Sequence, residues 1–514
     1  MRRLRKWLRS KPNARLEQEV AFPEESFELA YDLEQNERKL RQLFPNCSDL
    51  VFRNVRLNAK TECLVVYLTT LVDEQVIEEH ILKPLLASSE SLKPYPEDRI
   101  SVGKIERTKQ GQELVRQLLH GYTAILTSMN EQAWLVRTNG GKQRSLEEPS
   151  SEPVIRGPRD GFIENISTNM GLLRSRLKTS TLRMEALTVG RLTQTQVVIS
   201  YLEGIAKQAV VDEVRERIAR IRIDGIIDSS YIEEFIEDCP YSPFPQVHST
   251  ERPDVVAAEL LEGRVAILVE NTPFVLVVPM TLMTGVQASE DYYIRWPIAT
   301  FVRWIRFLFI SIAIFAPPLY VAITTFHQEM IPTNLVISIA SSREAVPFPA
   351  LIEAMLMEII FEALREAGIR LPKQIGQAVS IVGALVIGQA AVLAGIISAP
   401  VVIIVSITGI AAFTIPRYSF ANGIRLLRFP MLFLAGTLGL YGIVLGFIAI
   451  LLHVTSLRSF GVPYFTPISF GSIKDIFIRA PIWAKTLRPQ IAGSEPSYRE
   501  PEGQQPSPRR GKRP

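Results

Sequence analysis

Residues 307–325 read FLFISIAIFAPPLYVAITT, and no side chain in this stretch carries a charge. A helix needs about 20 consecutive apolar residues to cross the hydrocarbon core of a bilayer, so the stretch predicts a membrane-spanning helix. Pro317-Pro318 predicts a kink within it. Basic and aromatic residues precede the stretch, as is typical of a helix that starts on the cytoplasmic side: Arg295, Arg303, Arg306, Tyr292, Tyr293, Trp296 and Trp304.

Two further uncharged stretches predict more membrane spans. Residues 378–416 contain no charge and have about twice the length that one crossing needs, so we divide them at Ser398-Ala399-Pro400. The predicted spans are therefore 307–325, 378–397, 400–416 and 429–454. Four spans return the chain to the cytoplasm, in agreement with the basic residues that follow: Arg458, Lys474, Arg479, Lys485 and Arg488.

Three arginines conflict with this four-span topology. Arg417, Arg425 and Arg428 would lie outside the cell, although positive charge tends to remain in the cytoplasm. A fifth crossing or a re-entrant segment would remove the conflict. Residues 349–368 are the candidate for that segment.

Residues 349–368 predict an amphipathic helix. On a helical wheel Glu358, Glu362, Arg365 and Glu366 share one face, and Met357, Ile360, Phe361 and Leu364 lie opposite, next to Glu353. One interpretation is an interfacial helix with its charges in water and a local Glu362–Arg365 pair. The other places the charged face on a water-filled path inside an oligomer, because ionisable groups at membrane depth are costly elsewhere.

The second interpretation yields candidate pore residues. Repeated by symmetry, carboxylates of this helix would form rings of the kind that cation channels use. The candidates are Glu358, Glu362 and Glu366, with Gln377 and Gln389 as weaker ones. Small residues four apart let helices approach closely, either within one chain or between subunits, and both remain open: Ala384, Gly388, Ala391, Gly395, Gly442 and Gly446.

The first part of the chain, roughly 295 of its 514 residues, is charge-rich and predicts a soluble region. The net charge of +4 is too small to indicate a nucleic-acid partner. The three cysteines, Cys47, Cys63 and Cys239, show no metal-binding spacing and fit a reducing compartment. No apolar segment follows the basic N-terminus as it would in a signal peptide, so we expect the soluble region to remain in the cytoplasm.

An internal repeat divides this soluble region. Leu118-Leu119-His120-Gly121-Tyr122-Thr123-Ala124-Ile125-Leu126 aligns with Leu260-Leu261-Glu262-Gly263-Arg264-Val265-Ala266-Ile267-Leu268. Each copy lies between a predicted helix and a predicted hairpin, and each glycine is expected to end its helix. We therefore predict two related subdomains of α+β or α/β type, followed by an α-helical multi-span membrane domain.

The predicted boundaries follow these changes in composition. They are a polar helical segment at 1–40, a first subdomain at 41–138, a Gly-, Pro- and Ser-rich linker at 139–160, a second subdomain at 161–290, a membrane domain at 291–490 and a disordered basic tail at 491–514.

No motif predicts an enzyme. The sequence has no phosphate-binding loop, dinucleotide fingerprint, nucleophile elbow or zinc-protease motif. The five histidines are scattered, and we predict no catalytic residue, metal or cofactor. The expected partners are membrane lipids and further copies of the chain.

Several motifs resemble the spore germination receptor A-subunit family, the GerA family of endospore-forming bacteria. The first comprises Arg156, Gly157, Pro158, Arg159, Asp160, Gly161, Phe162, Ile163, Glu164 and Asn165. Others are Pro332-Thr333-Asn334-Leu335, Glu366-Ala367-Gly368-Ile369-Arg370-Leu371-Pro372 and Ser459-Phe460-Gly461-Val462-Pro463-Tyr464. The similarity extends over about residues 40–490 and leaves out the Pro- and Arg-rich tail.

This resemblance implies a function. Proteins of that family lie in the inner spore membrane with a transporter-like B subunit and a lipoprotein C subunit, and are thought to form an oligomeric, nutrient-gated ion channel that releases monovalent cations. A non-conducting scaffold or signal-transducing subunit is the alternative. A paralogous branch, the stage V sporulation AF-like proteins, shares these motifs and is thought to amplify germination, and the sequence leaves the branch open.

Overall fold

The computed structural model describes residues 27–58, 61–86, 100–102, 104–140, 148–149, 151–370, 386, 388–466, 476–485 and 488. The tail 491–514, the first part of the predicted span 378–397 (residues 378–385, with 387), Gln377 and Ala384 lie outside these residues. The boundary predicted at residue 40 falls inside helix α1 (Leu33–Leu43), which packs against the first sheet through Leu40.

The first soluble unit is a five-stranded antiparallel sheet with helices on both faces. Its strands are β1 (Leu50–Asn58), β2 (Thr61–Leu68), β3 (Ile105–Thr108), β4 (Tyr122–Thr127) and β5 (Asn130–Arg137), in the order β1-β2-β4-β5-β3. Helix α1 and helix α3 (Gly111–Leu118) cover one face. Helix α2, formed by the consecutive segments Glu74–Ile77, Glu78–Leu82 and Lys83–Leu86, covers the other. Because both faces are covered, β2 and β4 are almost continuously apolar.

The second soluble unit repeats this plan. Its strands are β6 (Leu182–Val189), β7 (Thr195–Leu202), β8 (His248–Thr250), β9 (Val265–Val269) and β10 (Val275–Val278), in the order β6-β7-β9-β10-β8. Helices α4 (Ile166–Arg176) and α7 (Pro253–Leu261) cover one face. Helices α5 (Gln208–Arg220) and α6 (Ser229–Ile236) cover the other. The two sheets thus share one strand order, position by position.

Gly121 and Gly263 occupy equivalent turns in the two units. Each ends a helix in the left-handed region, at φ +82° and +89°, and each donates its backbone N–H to the residue three before it. A Cβ atom at either position would lie 2.8 Å from a backbone carbonyl oxygen, that of Leu71 or of Ile205. Both the backbone angle and the close approach therefore require glycine.

A buried ion pair joins the two soluble units. Arg174 of α4 donates from Nε and Nη2 to the two carboxylate oxygens of Asp49, each at 2.9 Å, and both side chains are inaccessible to solvent. The backbone N–H of Ser48 also donates to the carbonyl of Met184 at 3.0 Å. These bonds cross between the units, so the units are held together by more than the chain that links them.

The remaining part of the chain that the structure describes is mainly helical. It comprises α8 (Leu282–Val286), α9 (Trp296–Phe326), α10 (Thr333–Arg343), α11 (Ala350–Arg370), α12 (Ala399–Phe413) and α13 (Tyr418–Ser456), with a short hairpin of β11 (Arg458–Ser459) and β12 (Val462–Pro463) after them. Of the helices within the described ranges, α9 and α13 are long and apolar enough to cross a membrane. Helix α9 contains predicted span 307–325 and continues through Pro317-Pro318. Helix α12, at 15 residues, is shorter than predicted span 400–416 requires.

Helix α13 is not the single span predicted at 429–454. Its regular geometry breaks at Gly439, which has φ +63° and ψ −142°. Beyond the break the chain doubles back, because Gly442 packs against Leu434 and Gly446 against Met431. Phe244 of the soluble region contacts both Phe420 and His453, near the two ends of α13. Residues 418–438 and 440–456 therefore form an antiparallel helical hairpin whose open end faces the soluble region.

Contacts along the hairpin fix the direction of the other helices. Gly439 packs against Phe326 and His327, so the tip of the hairpin lies at the end of α9 remote from the soluble region. Helix α11 runs back toward the soluble region, because Leu351 contacts Gly436 near the tip whereas Glu362 contacts Arg425 near the open end. Helix α12 runs the same way and leads to Arg417, which binds the soluble region.

We expect Gly263→Ala to destabilise the protein more than Gly204→Ala. Gly204 also has a positive φ, +80°, but a Cβ there would meet no atom within 4 Å. It therefore reports the conformational cost alone, about 1–2 kcal/mol. Gly263→Ala adds the collision with the Ile205 carbonyl. Thermal unfolding of the full chain in detergent measures the difference, and equal unfolding temperatures for the two variants would contradict the close packing.

Candidate functional site in the membrane helices

Helix α11 carries the carboxylates predicted to line a pore, and the structure separates them into two environments. Glu358 is buried, with 3% of its side chain exposed, and forms an ion pair with the equally buried Arg428 of α13. Glu362 and Glu366 lie further along the helix and remain open to the outside of the chain. The helical wheel had grouped all three on one face, but the arginine of a neighbouring helix draws Glu358 to the inside.

The Glu358–Arg428 pair lies at the middle of the helical region. Arg428 also donates from Nε to the carbonyl oxygen of Ala313 at 2.9 Å, and Ala313 is close to the midpoint of α9. An isolated charge at such a depth costs several kcal/mol, and a partner with direct hydrogen bonds offsets most of that cost. Arg428, one of the three arginines that conflicted with the four-span topology, is therefore paired with a carboxylate of its own chain.

Glu362 and Glu366 are each paired with an arginine one helical turn away. Arg365 donates to Glu362 at 2.6 Å, and Arg425 of α13 approaches the same carboxylate at 3.6 Å. Arg370 donates to Glu366 at 2.5 Å from Nη2, with both side chains exposed. Gln389 is also exposed. Glu362, Glu366 and Gln389 are thus the candidate pore residues that another chain or water can reach.

Glu353 has a role that the sequence did not reveal. Its buried carboxylate accepts hydrogen bonds from the backbone N–H and the hydroxyl of Ser398, at the start of α12, and lies 3.5 Å from Arg343 at the end of α10. It therefore joins three helices at the end of the bundle remote from the soluble region. The available signal was a single carboxylate within the apolar stripe of the wheel.

Most of the candidate helix-packing residues lie against their own chain. Gly388 faces Val402, Gly395 faces the carbonyl of Ala345, and Gly442 and Gly446 close the hairpin of α13. Ala391 is buried in the cluster formed by α11 and α12. Packing within one chain, one of the two uses that their spacing allows, is therefore present at these positions.

A second charged cluster holds α9 to the soluble region. Asp291 accepts hydrogen bonds from Arg303 at 2.9 Å and from Arg306 at 3.0 Å, and Arg306 also donates to the carbonyl of Val286 at 2.8 Å. Asp291, Arg303 and Arg306 are buried. The two arginines predicted to face the cytoplasm are therefore buried within the protein, and the guanidinium of Arg303 lies 5.5 Å from the centre of the Tyr292 ring.

The segment 151–160, predicted to be part of a linker, is a packed strap. Glu152 forms an ion pair with Arg417 and accepts a hydrogen bond from Thr250 at 2.7 Å. Arg252 donates to the carbonyls of Glu152 and Pro158 at 3.2 and 2.9 Å. Burial raises the pKa of Glu152, but the charge of Arg417 and the proximity of His248 outweigh it, so the pKa lies below its ordinary value.

The motif at residues 156–165, which carries the family resemblance, begins in this strap. Gly157 has φ +141°, and a Cβ there would lie 2.7 Å from the ring of Tyr293, just before α9. The Tyr293 hydroxyl in turn donates to Asp254 of α7. Gly161 and Phe162 follow, and Phe162 enters the core of the second unit. Asn165 caps α4 by accepting from Thr168 N–H at 3.0 Å. Arg156, Arg159 and Glu164 lie on the more open side of the strap.

The β11–β12 hairpin forms a third attachment. Phe460, at the hairpin turn, enters the core of the second soluble unit and stacks under Arg217 with 4.4 Å from guanidinium to ring centre. Its backbone N–H donates to Asp238 at 2.6 Å. The hydroxyl of Ser459 donates to the carbonyl of Gln246 at 2.7 Å and accepts from Met280 N–H at 3.1 Å. The end of α13 is thus fixed to the soluble region immediately after it leaves the bundle.

Within the described parts of the chain, no three His, Cys, Asp or Glu side chains come together as metal ligands would. The geometry is that of charged pairs within a helical bundle and of three attachments to a soluble region.

Comparison with known proteins identifies relatives over nearly the whole chain. Residues 38–491 match a family model described as Bacillus/Clostridium GerA spore germination protein. The chain is 42% identical to spore germination protein KA of Bacillus subtilis, over 93% of this chain and 90% of that protein. It is 47% identical to the uncharacterized membrane protein YfkQ of the same organism, over 90% and 91%, and 38% identical to spore germination protein GerLA of Bacillus cereus, over 92% and 98%.

A solved structure also matches part of the chain. It is the crystal structure of the N-terminal domain of the A subunit of the Bacillus megaterium spore germinant receptor GerK3. The sequence identity is 33%, the TM-score is 0.40, and the match covers 49% of this chain and 96% of that one.

We expect removal of one partner of the central pair to destabilise the bundle more than removal of both. Glu358→Leu or Arg428→Met alone leaves a buried, unpaired charge and is expected to cost about 3–5 kcal/mol. The double variant Glu358→Leu/Arg428→Met removes both charges and should recover most of that loss. Thermal unfolding in detergent measures the three variants. Additive losses would show that the two side chains do not depend on each other.

The exposed Glu366–Arg370 pair is the matched control for this series. Glu366→Leu and Arg370→Met remove an ion pair of the same helix that is already in solvent, so both should change the unfolding temperature little.

The strap predicts a pH-dependent contribution to stability. Because the folded-state pKa of Glu152 lies below its ordinary value, the ion pair stabilises the folded protein fully above the unfolded pKa of about 4.3 and loses this effect as the pH falls through the folded pKa. Glu152→Gln should therefore reduce the free energy of unfolding at pH 7 by about 1–3 kcal/mol, which thermal unfolding detects as a lower unfolding temperature. The difference from the wild type should shrink in acid.

Glu148→Gln is the control for the strap. Glu148 lies 3.8 Å from Arg159 with both side chains exposed, so its removal should have little effect at either pH. An equal loss in both variants would assign the effect to general surface charge.

Proposed function

Because this chain belongs to the GerA family of spore germination proteins, we propose that it is a membrane subunit of a nutrient-responsive germination receptor and forms an oligomeric ion channel that releases monovalent cations. The relatives named as spore germination proteins support the receptor assignment. The channel itself is argued from the outward-facing acidic end of α11. A transporter-like B subunit and a lipoprotein C subunit are the partners that family membership favours.

The helix directions support a multi-pass arrangement with the soluble region in the cytoplasm. Helix α9 leads away from the soluble region, α11 and α12 lead back to it, and α13 goes out and returns. The loop side next to the soluble region carries Arg295, Arg417 and Arg458, whereas the remote side carries Glu329, Arg343 and Glu344. Basic loops tend to remain in the cytoplasm, and this charge difference supports a cytoplasmic soluble region. The return of α11 removes the conflict that the four-span topology created.

The observation that carries the channel is the surface left open by α10 and α11. Every residue of α10 is described, and none is buried, although the helix contains Leu335, Val336, Ile337 and Ile339. Glu362 and Glu366 are open on the adjoining helix. Further copies around a symmetry axis would cover the apolar side chains and bring these carboxylates into rings around a water-filled path. Glu358 would then lie behind the path and hold α11 against α13 through its ion pair with Arg428.

A non-conducting, signal-transducing subunit is the second candidate. It is favoured by the pairing of Glu358, Glu362 and Glu366 with arginines inside one chain, because a paired carboxylate attracts a cation less than a free one does. The same attachments to the soluble region would serve either function. The stage V sporulation AF-like branch, whose members are thought to amplify germination, is a separate alternative.

Ion flux through the purified chain in liposomes tests the channel. We expect a monovalent-cation flux that Glu362→Ala reduces, because a unit charge at about 4 Å in water changes the local cation energy by about 1 kcal/mol, or about fivefold in concentration. Glu34→Ala, which removes an exposed, arginine-paired carboxylate of α1, is the control and should leave the flux unchanged.

Two outcomes would count against the channel. Equal flux from the Glu362→Ala variant and the wild type would remove this residue from the path. A folded, monodisperse oligomer without any flux would favour the signal-transducing subunit.

A further inference from the structure

The loop that follows α6 connects the second soluble unit to both helices of the α13 hairpin. The hydroxyl of Ser242 lies 2.9 Å from Nε2 of His453, near the end of α13. The carbonyl of Pro243 packs against Gly423, near the start of α13. Phe244 belongs to the apolar cluster of the helical bundle and contacts the rings of Phe420 and His453. Residues 239–244 thus lie at the open end of the hairpin and contact both of its helices.

Tyr241 projects from this loop without covering. Its side chain is 98% exposed, whereas Phe244, three residues later, is buried. Tyrosine combines an apolar ring with a polar hydroxyl, a combination that is enriched where one end of the side chain meets apolar material and the other meets water.

The outer surface of the bundle shows what surrounds Tyr241. On α13 the exposed side chains Phe447, Ile448, Leu451 and Leu452 form an apolar surface that reaches the residue before His453. The exposed ring of Tyr418 lies at the same open end, on the first helix of the hairpin. Tyr241 is therefore level with the point at which the apolar surface of the hairpin ends and polar side chains begin.

We propose that residues 239–244 of the soluble region lie in the interfacial layer of the bilayer and that Tyr241 binds phospholipid there. The proposal rests on the membrane insertion of α9 and α13 stated above. Tyrosine is suited to this layer because its ring is apolar and its hydroxyl reaches water and headgroups. The second soluble unit then rests directly on the membrane surface instead of standing away from it.

The charges near the loop indicate which part of the lipid is bound. Asp238 is already paired with Arg217 and with the N–H of Phe460, and Glu237 accepts from the N–H of Gln246. The described part of the loop itself contains no Lys or Arg. Tyr241 is therefore expected to contact the interface through its ring and hydroxyl, and not through attraction to anionic headgroups.

Photo-cross-linking of the full chain in liposomes tests the proposal. p-Benzoylphenylalanine replaces Tyr241, Tyr231 or Phe447 in separate variants, and the liposomes contain phosphatidylethanolamine and phosphatidylglycerol. Tyr231 lies on α6 of the same soluble unit and is 39% exposed, and Phe447 lies on α13 and is 49% exposed. The readout is the mass of the labelled peptide after irradiation.

The expected result is a phospholipid adduct at positions 241 and 447 and background yield at 231. The yield at 241 should be unchanged when phosphatidylglycerol is left out. An adduct at 447 without one at 241 would overturn the proposal while leaving membrane insertion intact. An adduct between two protein chains at 241 would assign the residue to contact between copies instead. Absence of lipid adducts at both 241 and 447 would overturn membrane insertion itself, and the present proposal with it.

Tyr241→Ser gives an independent measurement that does not need the photoreactive group. Since the side chain packs against no other part of the described structure, the variant is expected to unfold at the wild-type temperature in detergent. In liposomes, hydrogen exchange of the backbone amides of Tyr241, Ser242 and Phe244 should become faster than in the wild type. Equal exchange in the two proteins would overturn the contact.

Discussion

A charge or a backbone amide buried among apolar helices has no water to bind, and this constraint governs the helical half of the protein. Within the described part of the helical half, three buried carboxylates are met by donors from other segments: Glu358 near the middle of the bundle by Arg428, Glu353 at its remote end by Ser398 and Arg343, and Asp291 next to the soluble region by Arg303 and Arg306. The pairs also fix which helices are neighbours. They therefore decide the arrangement of α9, α11, α12 and α13 as much as the apolar contacts do.

The soluble region is attached to this bundle at several points that all belong to its second unit. The strap at 151–160 reaches Arg417, Tyr293 joins α7 to the start of α9, Phe244 enters the open end of the α13 hairpin, and Phe460 returns from the end of α13 into the soluble core. A shift of the second unit would move the ends of α9 and α13 together. The first unit has a different place, because it is joined to the second through the Arg174–Asp49 pair. A signal that changes the contact between the units thus has a direct mechanical route to the helices.

Local patterns predicted the soluble fold well. The helix predicted before Gly263 and the hairpin predicted after it occur as α7 (Pro253–Leu261) and the pair β9–β10, because their apolar spacing and turn residues act over short distances. The repeat around Gly121 and Gly263 pointed to two equivalent turns, and both glycines have the positive φ that such a turn requires. The first strand of each sheet, β1 or β6, lies outside the repeated segment, and its polar outward side chains interrupt the apolar run that would reveal it.

The sequence by itself determined that the chain has a mixed α/β region followed by apolar helices, since hydropathy and short-range periodicity depend only on neighbouring residues. It also supplied the motifs that place the chain in its family. Only the tertiary structure decided that α13 folds back at Gly439, that Glu358 faces inward to Arg428, and that the supposed linker holds Arg417. Each of these depends on a partner tens to hundreds of residues away. A wheel or a hydropathy profile treats a helix as if its surroundings were uniform, whereas a buried charge takes the side on which its counter-charge lies.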